Sequence, residues 1–206
     1  MELYNTEEQQ VEAIKNFWKE YGVSIIGGAV LGLGGLFGWN AYQDHQEGQR
    51  EAASEAFAQL VDKSGSAVEM QAAAEAFRQS HSNDGYQALT DLLQARALVE
   101  AGDLAQAETL LTQAIAKLDT ATKPLAQLRL ARVQLAQQNL DGASATLAGI
   151  NNDAFAAQRD ELQGDLYKQQ GDVAAAREAY QSAVDAGGAM NNPALQMKLD
   201  DLAQAS

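Results

Sequence analysis

The chain has 206 residues, a net charge of −14 at neutral pH, no cysteine and two histidines. An acidic excess this large argues against nucleic acid or an anionic membrane surface as a partner. The absence of cysteine excludes disulfides and thiol chemistry, and His45 and His81 are too few for a histidine-based metal centre, so no cofactor is expected.

The first element is an uncharged, glycine-rich run, 21–43, between Glu20 and Asp44. It does not fit a phosphate-binding loop, because the G-x-G-x-x-G spacing that starts at Gly32 has Phe37 in place of the third glycine. A cleaved export signal is the second alternative, but its apolar region is shorter and ends at a small-x-small site, which "NAYQDHQ" lacks. About 20 residues cross the hydrocarbon of a bilayer. The run therefore predicts an uncleaved transmembrane helix.

Aromatic and small residues characterise this span further. Trp18 and Tyr21 lie at one end and Trp39 and Tyr42 at the other, as is common where rings sit among lipid headgroups. Small residues recur at intervals of four, a spacing that lets a second helix pack closely. They are Ser24, Gly28 and Gly32 in one series and Gly34 and Gly38 in another. We expect them to contact another membrane helix; the alternative is that glycine is simply common in membrane helices.

Lysine and arginine near the ends of the span indicate its orientation. Lys15 and Lys19 precede the span, whereas Arg50 is the one basic residue that follows it closely, so the N-terminus is expected inside. This orientation divides the chain into a short cytoplasmic segment 1–20, a transmembrane helix 21–43 surrounded by lipid, and a periplasmic domain 44–206. The domain keeps most of the acidic excess of the chain.

The residues after the span predict an all-α domain. Alanine, leucine, glutamine and glutamate dominate it, and all of them favour helix. The first helix is expected to run on from the membrane through "EAASEAFAQLV", with Ala53, Phe57 and Leu60 on one face. A turn at "DKSGS", a helix over "AVEMQAAAEAFRQ" and a second turn at "SHSNDG" are expected next.

A repeat of about 34 residues follows these turns. "AGDLAQAETLLTQAI" and "QGDVAAAREAYQSAV" match at identical offsets, and "QQNLDGASATLAGI" fits between them with Gln138 in place of the turn glycine. The small residues Ala107, Ala143 and Ala176 return at nearly equal intervals. Helix-turn-helix units of this period are typical of tetratricopeptide repeats, so we predict a helical repeat solenoid with atypical first and last units. A generic alanine-rich bundle is the alternative.

The first helix of each pair is expected to line a groove that binds an extended or helical segment of another protein. Alignment on the turns puts six residues in equivalent places of two repeats: Leu92, Arg96 and Val99, then Leu128, Arg132 and Leu135. Arginine can hold a carboxylate or backbone carbonyls with its planar fork, and the leucines would offer apolar contact. The alternative for Arg96 is structural, since it can pair with Glu100 one turn away.

Several segments together resemble a known family. An acidic start, "VEAIKNFWKEYG", leads into the glycine-rich span and "GWNAYQDHQ"; "LRLARVQL" and a closing "QGDVAAAREAY" repeat follow. Over its whole length the chain resembles the YfgM-type ancillary subunits of the SecYEG translocon of Gram-negative bacteria. The resemblance implies a single-pass inner-membrane protein that associates with the translocon and with the membrane-anchored periplasmic chaperone PpiD. It also implies a part in handing newly exported proteins to periplasmic chaperones.

No residues suited to catalysis stand out in this sequence. Ser80, His81 and Ser82 are neighbours in one predicted turn, and adjacent side chains of this kind do not form a nucleophile, a base and an orienting group. We therefore expect no enzyme. Two functions stay open: a membrane-anchored adaptor that docks proteins at the export channel, and a self-associating scaffold whose repeats act as a spacer.

Overall fold

The computed structural model describes residues 4–62 and 66–204, and within these ranges the regular structure is entirely helical. The α-helices there are α1 Tyr4–Asp62, α2 Ala67–Ser80, α3 Asp84–Glu100, α4 Leu104–Lys117, α5 Lys123–Ala136, α6 Leu140–Ala148, α7 Ala156–Gln170, α8 Val173–Asp185, α9 Gly188–Asn191 and α10 Pro193–Gln204. A 3₁₀ turn, Asp153–Phe155, precedes α7. The all-α class predicted from the sequence is confirmed. Of the turn predicted at "DKSGS", residues 63–65 lie outside the described residues.

The chain divides into two compact units, Met1–Ala52 and Ala53–Ser206. In its described part the first unit is a single stretch of α1. The same helix continues to Asp62 because no proline interrupts it and residues that favour helix follow the uncharged run. The predicted continuation of the first helix beyond the membrane run is therefore confirmed.

A small apolar cluster opens the second unit. Ala53 and Leu60, at the end of α1, are 1% and 4% exposed and pack with Met70 and Phe77 of α2. Phe57 lies edge-on to Phe77, with 6.3 Å between the ring centroids, a favourable arrangement for aromatic pairs. The predicted face of Ala53, Phe57 and Leu60 thus packs against α2.

Three helix pairs follow: α3 with α4, α5 with α6, and α7 with α8. The second helix of each pair begins after a residue whose side-chain oxygen accepts the backbone N–H of the third residue further on. These N-cap residues are Asp103, Asn139 and Asp172. Such a cap stabilises a helix by about 1 kcal/mol. Because the caps recur with the spacing of the sequence repeat, they confirm the predicted helix-turn-helix units.

The residue before each of these caps has a left-handed backbone. The φ angle is 83° at Gly102, 62° at Gln138 and 81° at Gly171. Glycine adopts this conformation readily, whereas a residue with a Cβ loses roughly 1–2 kcal/mol there. Gln138 keeps the turn geometry of its glycine counterparts: its N–H donates to Leu135 O at 3.0 Å, as Gly102 N–H donates to Val99 O at 3.1 Å.

Small residues let the two helices of each pair approach closely. On the second helices, Ala107, Ala143 and Ala176 are all fully buried. On the first helices, the equivalent small residues are Ala95, Ala131 and Gly164. At one fixed distance further along the chain, the second helix of each pair carries a large residue, which is Leu111, Leu147 and Tyr180 respectively. The smallest residue, Gly164, accompanies the largest, Tyr180. In the last pair, a larger residue on one helix is thus matched by a smaller one on the other.

The last unit ends in α10, which covers the apolar side of α8. Leu195 and Leu202 are 0% and 4% exposed and pack with Tyr180 and Ala183. A terminal helix of this kind is needed because a repeat array would otherwise expose the apolar face of its last unit. α10 also brings Lys198 beside α7, where it contacts Glu161 and Asp165.

Candidate protein-interaction surfaces

The N-terminal part of α1 is long and apolar enough to cross a membrane, and in the described part of the chain it alone is so. At about 100° per residue, Gly27 and Gly35 join the two predicted series on one face, which spans roughly 160° of the helix. We call this surface the glycine face: Ser24, Gly27, Gly28, Gly32, Gly34, Gly35 and Gly38. Bulkier residues, among them Ile26, Val30, Leu33 and Phe37, lie on the opposite side. The predicted stripes thus lie on one side of the helix, where Leu31 projects among Gly27, Gly28, Gly34 and Gly35 and interrupts the small residues.

Packing among the described residues does not require the glycines of the glycine face to be small. Beyond its own helix backbone and chain neighbours, a Cβ placed on Gly28, Gly32, Gly34 or Gly38 would meet no described atom within 4 Å. The nearby Leu31 and Phe37 are 78% and 69% exposed. The face is open to whatever surrounds the helix, and its small residues on either side of Leu31 would let another helix backbone come close.

Aromatic rings lie at both ends of the predicted span. The Phe17 and Tyr21 rings contact each other with 5.2 Å between centroids, and those of Trp39 and Tyr42 with 6.2 Å. Trp18, Tyr21, Trp39 and Tyr42 are all about half exposed. This pairing places amphipathic rings at two levels of one helix, an arrangement suited to the two headgroup regions of a bilayer.

The predicted groove on α3 and α5 is only partly present. Leu92, Leu128 and Leu135 are 7%, 2% and 6% exposed and belong to the apolar core. The expectation that these leucines offer apolar contact to a ligand is therefore wrong, because they hold the helix pairs together instead. Arg96, Val99 and Arg132, the other predicted groove residues, lie at the surface.

The two predicted arginine anchors differ in their surroundings. Arg96 Nε donates to Glu100 Oε1 at 2.8 Å, so the alternative pairing expected from the sequence is confirmed. Both side chains are largely exposed, at 76% and 63%, and such pairs contribute little to stability. Arg132 forms no ion pair or hydrogen bond with the described residues. Arg132 is therefore the better placed of the two to bind a ligand.

Charged residues also occupy the repeat position of Arg132 in the later helices, and there they form a cluster that was not predicted from the sequence. Asp165 of α7 and Lys198 of α10 follow Arg132 at equal intervals, each close to the length of one repeat. Lys198 Nζ contacts Glu161 Oε1 at 2.9 Å and the two Asp165 carboxylate oxygens at 2.8 and 2.9 Å. The repeat spacing itself was the signal that could have found these residues.

Further hydrogen bonds satisfy the two carboxylates of this cluster. Asn192 Nδ2 donates to both oxygens of Glu161 at 2.9 and 3.0 Å, and Tyr180 Oη donates to Asp165 Oδ1 at 2.7 Å. Burial opposes the charge of Lys198, but its contacts with Asp165 and Glu161 outweigh this effect and raise the pKa of the ammonium group. Burial, followed by the bond to Asp165, raises the pKa of the Tyr180 hydroxyl. Both groups are thus held in their protonated forms.

An open cleft of about 660 Å³ lies between α5, α7 and α10 beside this cluster. We call it the α5–α7–α10 cleft. Its lining residues are Arg132, Leu135, Ala136, Glu161, Leu162, Asp165, Lys168, Gln169 and Lys198. The three cations and two anions leave the cleft with a net charge of +1, in contrast to the chain as a whole.

A second charged cluster joins α2, α3 and α4. The Asp91 side chain is fully buried, and its two oxygens accept from Arg78 Nη2 and Lys117 Nζ, both at 2.9 Å. Arg78 Nε also donates to Asp91 at 3.2 Å. A buried carboxylate with two cation partners on other helices is a structural cross-link, because loss of the anion would leave Lys117 without this partner and Arg78 with only the exposed Glu75, at 3.6 Å, as a counter-ion. We assign this cluster to folding.

Within residues 4–62 and 66–204, no group of three histidine, aspartate or glutamate side chains is arranged to hold a metal ion. The carboxylates of the two clusters, Asp91, Glu161 and Asp165, are bound to lysine or arginine. The arrangement of the described residues supports binding through surfaces and helix faces.

Comparisons with known proteins agree with this arrangement. The family model of a tetratricopeptide repeat-like domain matches residues 15–204. The chain is similar to the ancillary SecYEG translocon subunits of Escherichia coli, Haemophilus influenzae and Aggregatibacter actinomycetemcomitans, at 35%, 33% and 34% identity. The alignments cover 98%, 95% and 95% of this chain and 99%, 97% and 97% of those proteins.

No solved structure matches the chain. The names of the relatives describe translocon subunits and no catalytic activity. Similarity at this level over nearly the whole length, together with matching repeats, establishes the relationship. The chain belongs to the tetratricopeptide repeat-like family of ancillary SecYEG translocon subunits.

Proposed function

We propose that this chain is a membrane-anchored, non-catalytic adaptor at the Sec translocon. The observation that carries the proposal is the near full-length similarity to ancillary SecYEG translocon subunits. Both parts of the molecule fit such a role. One apolar helix supplies an anchor, and a repeat domain supplies surfaces for other proteins.

In this proposal the protein crosses the bacterial inner membrane once. Residues 1–20 are cytoplasmic, residues 21–43 span the lipid, and residues 44–206 form a periplasmic domain. The excess of lysine before the span supports this orientation. An activity reporter that works only in the periplasm, fused after Ser206, tests it: the reporter should be active, and cytoplasmic activity would reverse the assignment.

The glycine face is the contact with another membrane helix. Its open backbone supports close packing, and the partner is either a translocon helix or a second copy of this chain. The repeat domain then carries the second task of an adaptor. It binds a segment of another protein and so links exported proteins to periplasmic chaperones, with a PpiD-type chaperone as the partner.

Site-specific photo-crosslinking in native membranes tests the adaptor function. A crosslinker at Gly28, on the glycine face, should capture a translocon subunit, and one at Ala136, in the α5–α7–α10 cleft, should capture an exported protein or the chaperone. A crosslinker at Ala29, on the opposite face of the span, is the matched control and should capture less. Recovery of this chain alone from every position would instead indicate a self-associating scaffold.

A further inference from the structure

We propose that the α5–α7–α10 cleft binds acidic side chains in a segment of a partner protein, with Arg132 and Lys168 as the two cationic contacts. This inference rests on the proposed function, since it specifies the chemistry of the segment that the repeat domain takes. It differs from the groove predicted from the sequence, because Arg96 is paired with Glu100 and the second cation comes from α7 instead.

In the part of the chain that the structure describes, Arg132 and Lys168 have no counter-ion. Both side chains are exposed, both line the cleft, and neither forms an ion pair or hydrogen bond with the described residues. Lys198, the third cation of the cleft, is by contrast in contact with two carboxylates. Two cations on neighbouring helices are thus free to bind an anion.

The acidic residues of the cleft are already engaged. Glu161 accepts from Lys198 and Asn192, and Asp165 accepts from Lys198 and Tyr180, at distances of 2.7 to 3.0 Å. Turning either carboxylate toward Arg132 would break these contacts and leave Lys198 without its partners. The internal acids therefore do not neutralise Arg132 or Lys168, and an external carboxylate can bind there without displacing an internal one.

The rest of the cleft favours a polypeptide over other anions. Leu135 and Leu162 belong to the core beneath the cleft, and the exposed Ala136 adds only a small apolar surface beside the two cations, so the ligand is recognised chiefly by its acidic side chains. Nucleic acid and anionic lipid surfaces present long arrays of negative charge, which would be repelled by a chain of net charge −14. A short segment feels chiefly the local charge, because screening is strong beyond about 10 Å in 0.1 M salt.

The test uses the full chain in detergent micelles and three short fluorescent peptides. The peptides have leucine and glycine at the same positions, and the remaining positions carry glutamate in one peptide, glutamine in the second and lysine in the third. Fluorescence anisotropy should show that the glutamate peptide binds most tightly and that its binding weakens as salt is added. The double variant Arg132→Ala, Lys168→Ala should bind it about tenfold more weakly, as expected for two partly exposed ion pairs. Arg129→Ala, on the outside of α5, is the matched control and should change the affinity less than about twofold.

Charge reversal provides a second measurement. The variant Arg132→Glu, Lys168→Glu should lose the glutamate peptide and gain the lysine peptide, which a merely structural role for the two residues would not produce. Equal binding of the glutamate and glutamine peptides, or unchanged binding by the double alanine variant, would overturn the inference. Capture of a translocon subunit from Gly28 in native membranes would still uphold the proposed function in that case, so the two can fail separately.

Discussion

The ring of Tyr180 in α8 lies against the backbone of Gly164 in α7, in the space that a side chain at position 164 would occupy. A Cβ on Gly164 would overlap Cδ1 and Cε1 of that ring. At the equivalent positions, the two preceding helix pairs have alanine and leucine, which belong to one apolar cluster in each pair. The last pair therefore accommodates a larger ring by removing one methyl group from its partner helix, and the ring carries the hydroxyl that binds Asp165.

The variant Gly164→Ala should destabilise the repeat domain by about 1–3 kcal/mol, because overpacking forces the Tyr180 ring or the helix to shift. This cost exceeds the gain of up to about 1 kcal/mol that alanine brings to a helix interior. Urea unfolding of the full chain in detergent, followed by circular dichroism, measures the change. The double variant Gly164→Ala, Tyr180→Leu copies the earlier pairs and should recover part of the loss, whereas additive losses would contradict the proposed fit.

At the turn of the middle repeat, Gln138→Gly should stabilise the domain by about 0.5–1 kcal/mol. The left-handed backbone strains glutamine by roughly 1–2 kcal/mol, and glycine removes this strain. The extra freedom of glycine in the unfolded chain offsets part of the gain. The reverse change, Gly171→Ala, should destabilise, since its φ is +81° and only the backbone conformation opposes a Cβ there. Gln137→Gly is the control: its φ is −82°, so glycine should give no gain in the same unfolding measurement.

Removing the buried carboxylate by Asp91→Asn should cost about 3 kcal/mol, because Arg78 and Lys117 would lose their shared anion. Thermal unfolding should show a clearly lower midpoint. Arg96→Ala, which breaks the exposed Arg96–Glu100 pair, is the matched control and should cost at most about 1 kcal/mol. Equal effects of the two variants would show that the cross-link between α2, α3 and α4 contributes no more than a surface pair.

The Lys198–Tyr180 cluster predicts a loss of stability in alkaline solution. Folding raises both pKa values above their ordinary values of 10.5 and 10.0, so the folded state favours the protonated forms. Their stabilising contribution is complete below pH 10 and is lost as the pH rises through the folded-state pKa values. Urea unfolding at pH 8 and above 10.5 should show a smaller alkaline loss for Lys198→Gln, Tyr180→Phe than for the unaltered chain. Parallel losses would assign the effect to other groups.

On the glycine face, the double variant Gly28→Leu, Gly32→Leu should lower the yield of membrane partners that copurify in mild detergent. Two leucines would hold a neighbouring backbone away and remove close packing. The repeat domain should keep its melting temperature, since no described atom outside the local helix backbone and the chain neighbours lies within 4 Å of either added Cβ. Ala29→Leu adds bulk to the opposite face and should leave the yield unchanged. An unchanged yield for the glycine variant would mean that these residues make no contact.

Local and periodic features were readable without the structure. The uncharged run and its glycines depend on composition and on spacing within one helix, which are properties of neighbouring residues. The helix-turn-helix period was visible because each unit packs chiefly on the next one, so the same small residues, caps and turns return at a fixed interval. Gln138 could be aligned with the turn glycines for the same reason, and its left-handed φ follows from that alignment.

The tertiary structure decided which side chains remain accessible. Leu92, Leu128 and Leu135 occupy positions that suggested a ligand-binding face, yet they are buried because each pair of helices must cover its own apolar surface before any is left for a partner. The counter-ion of each charge was likewise undecided in the sequence. Lys198 contacts Glu161 and Asp165, which lie far from it along the chain, because α10 packs on α8. These contacts engage the two carboxylates, and Arg132 and Lys168 are left without a counter-ion among the described residues.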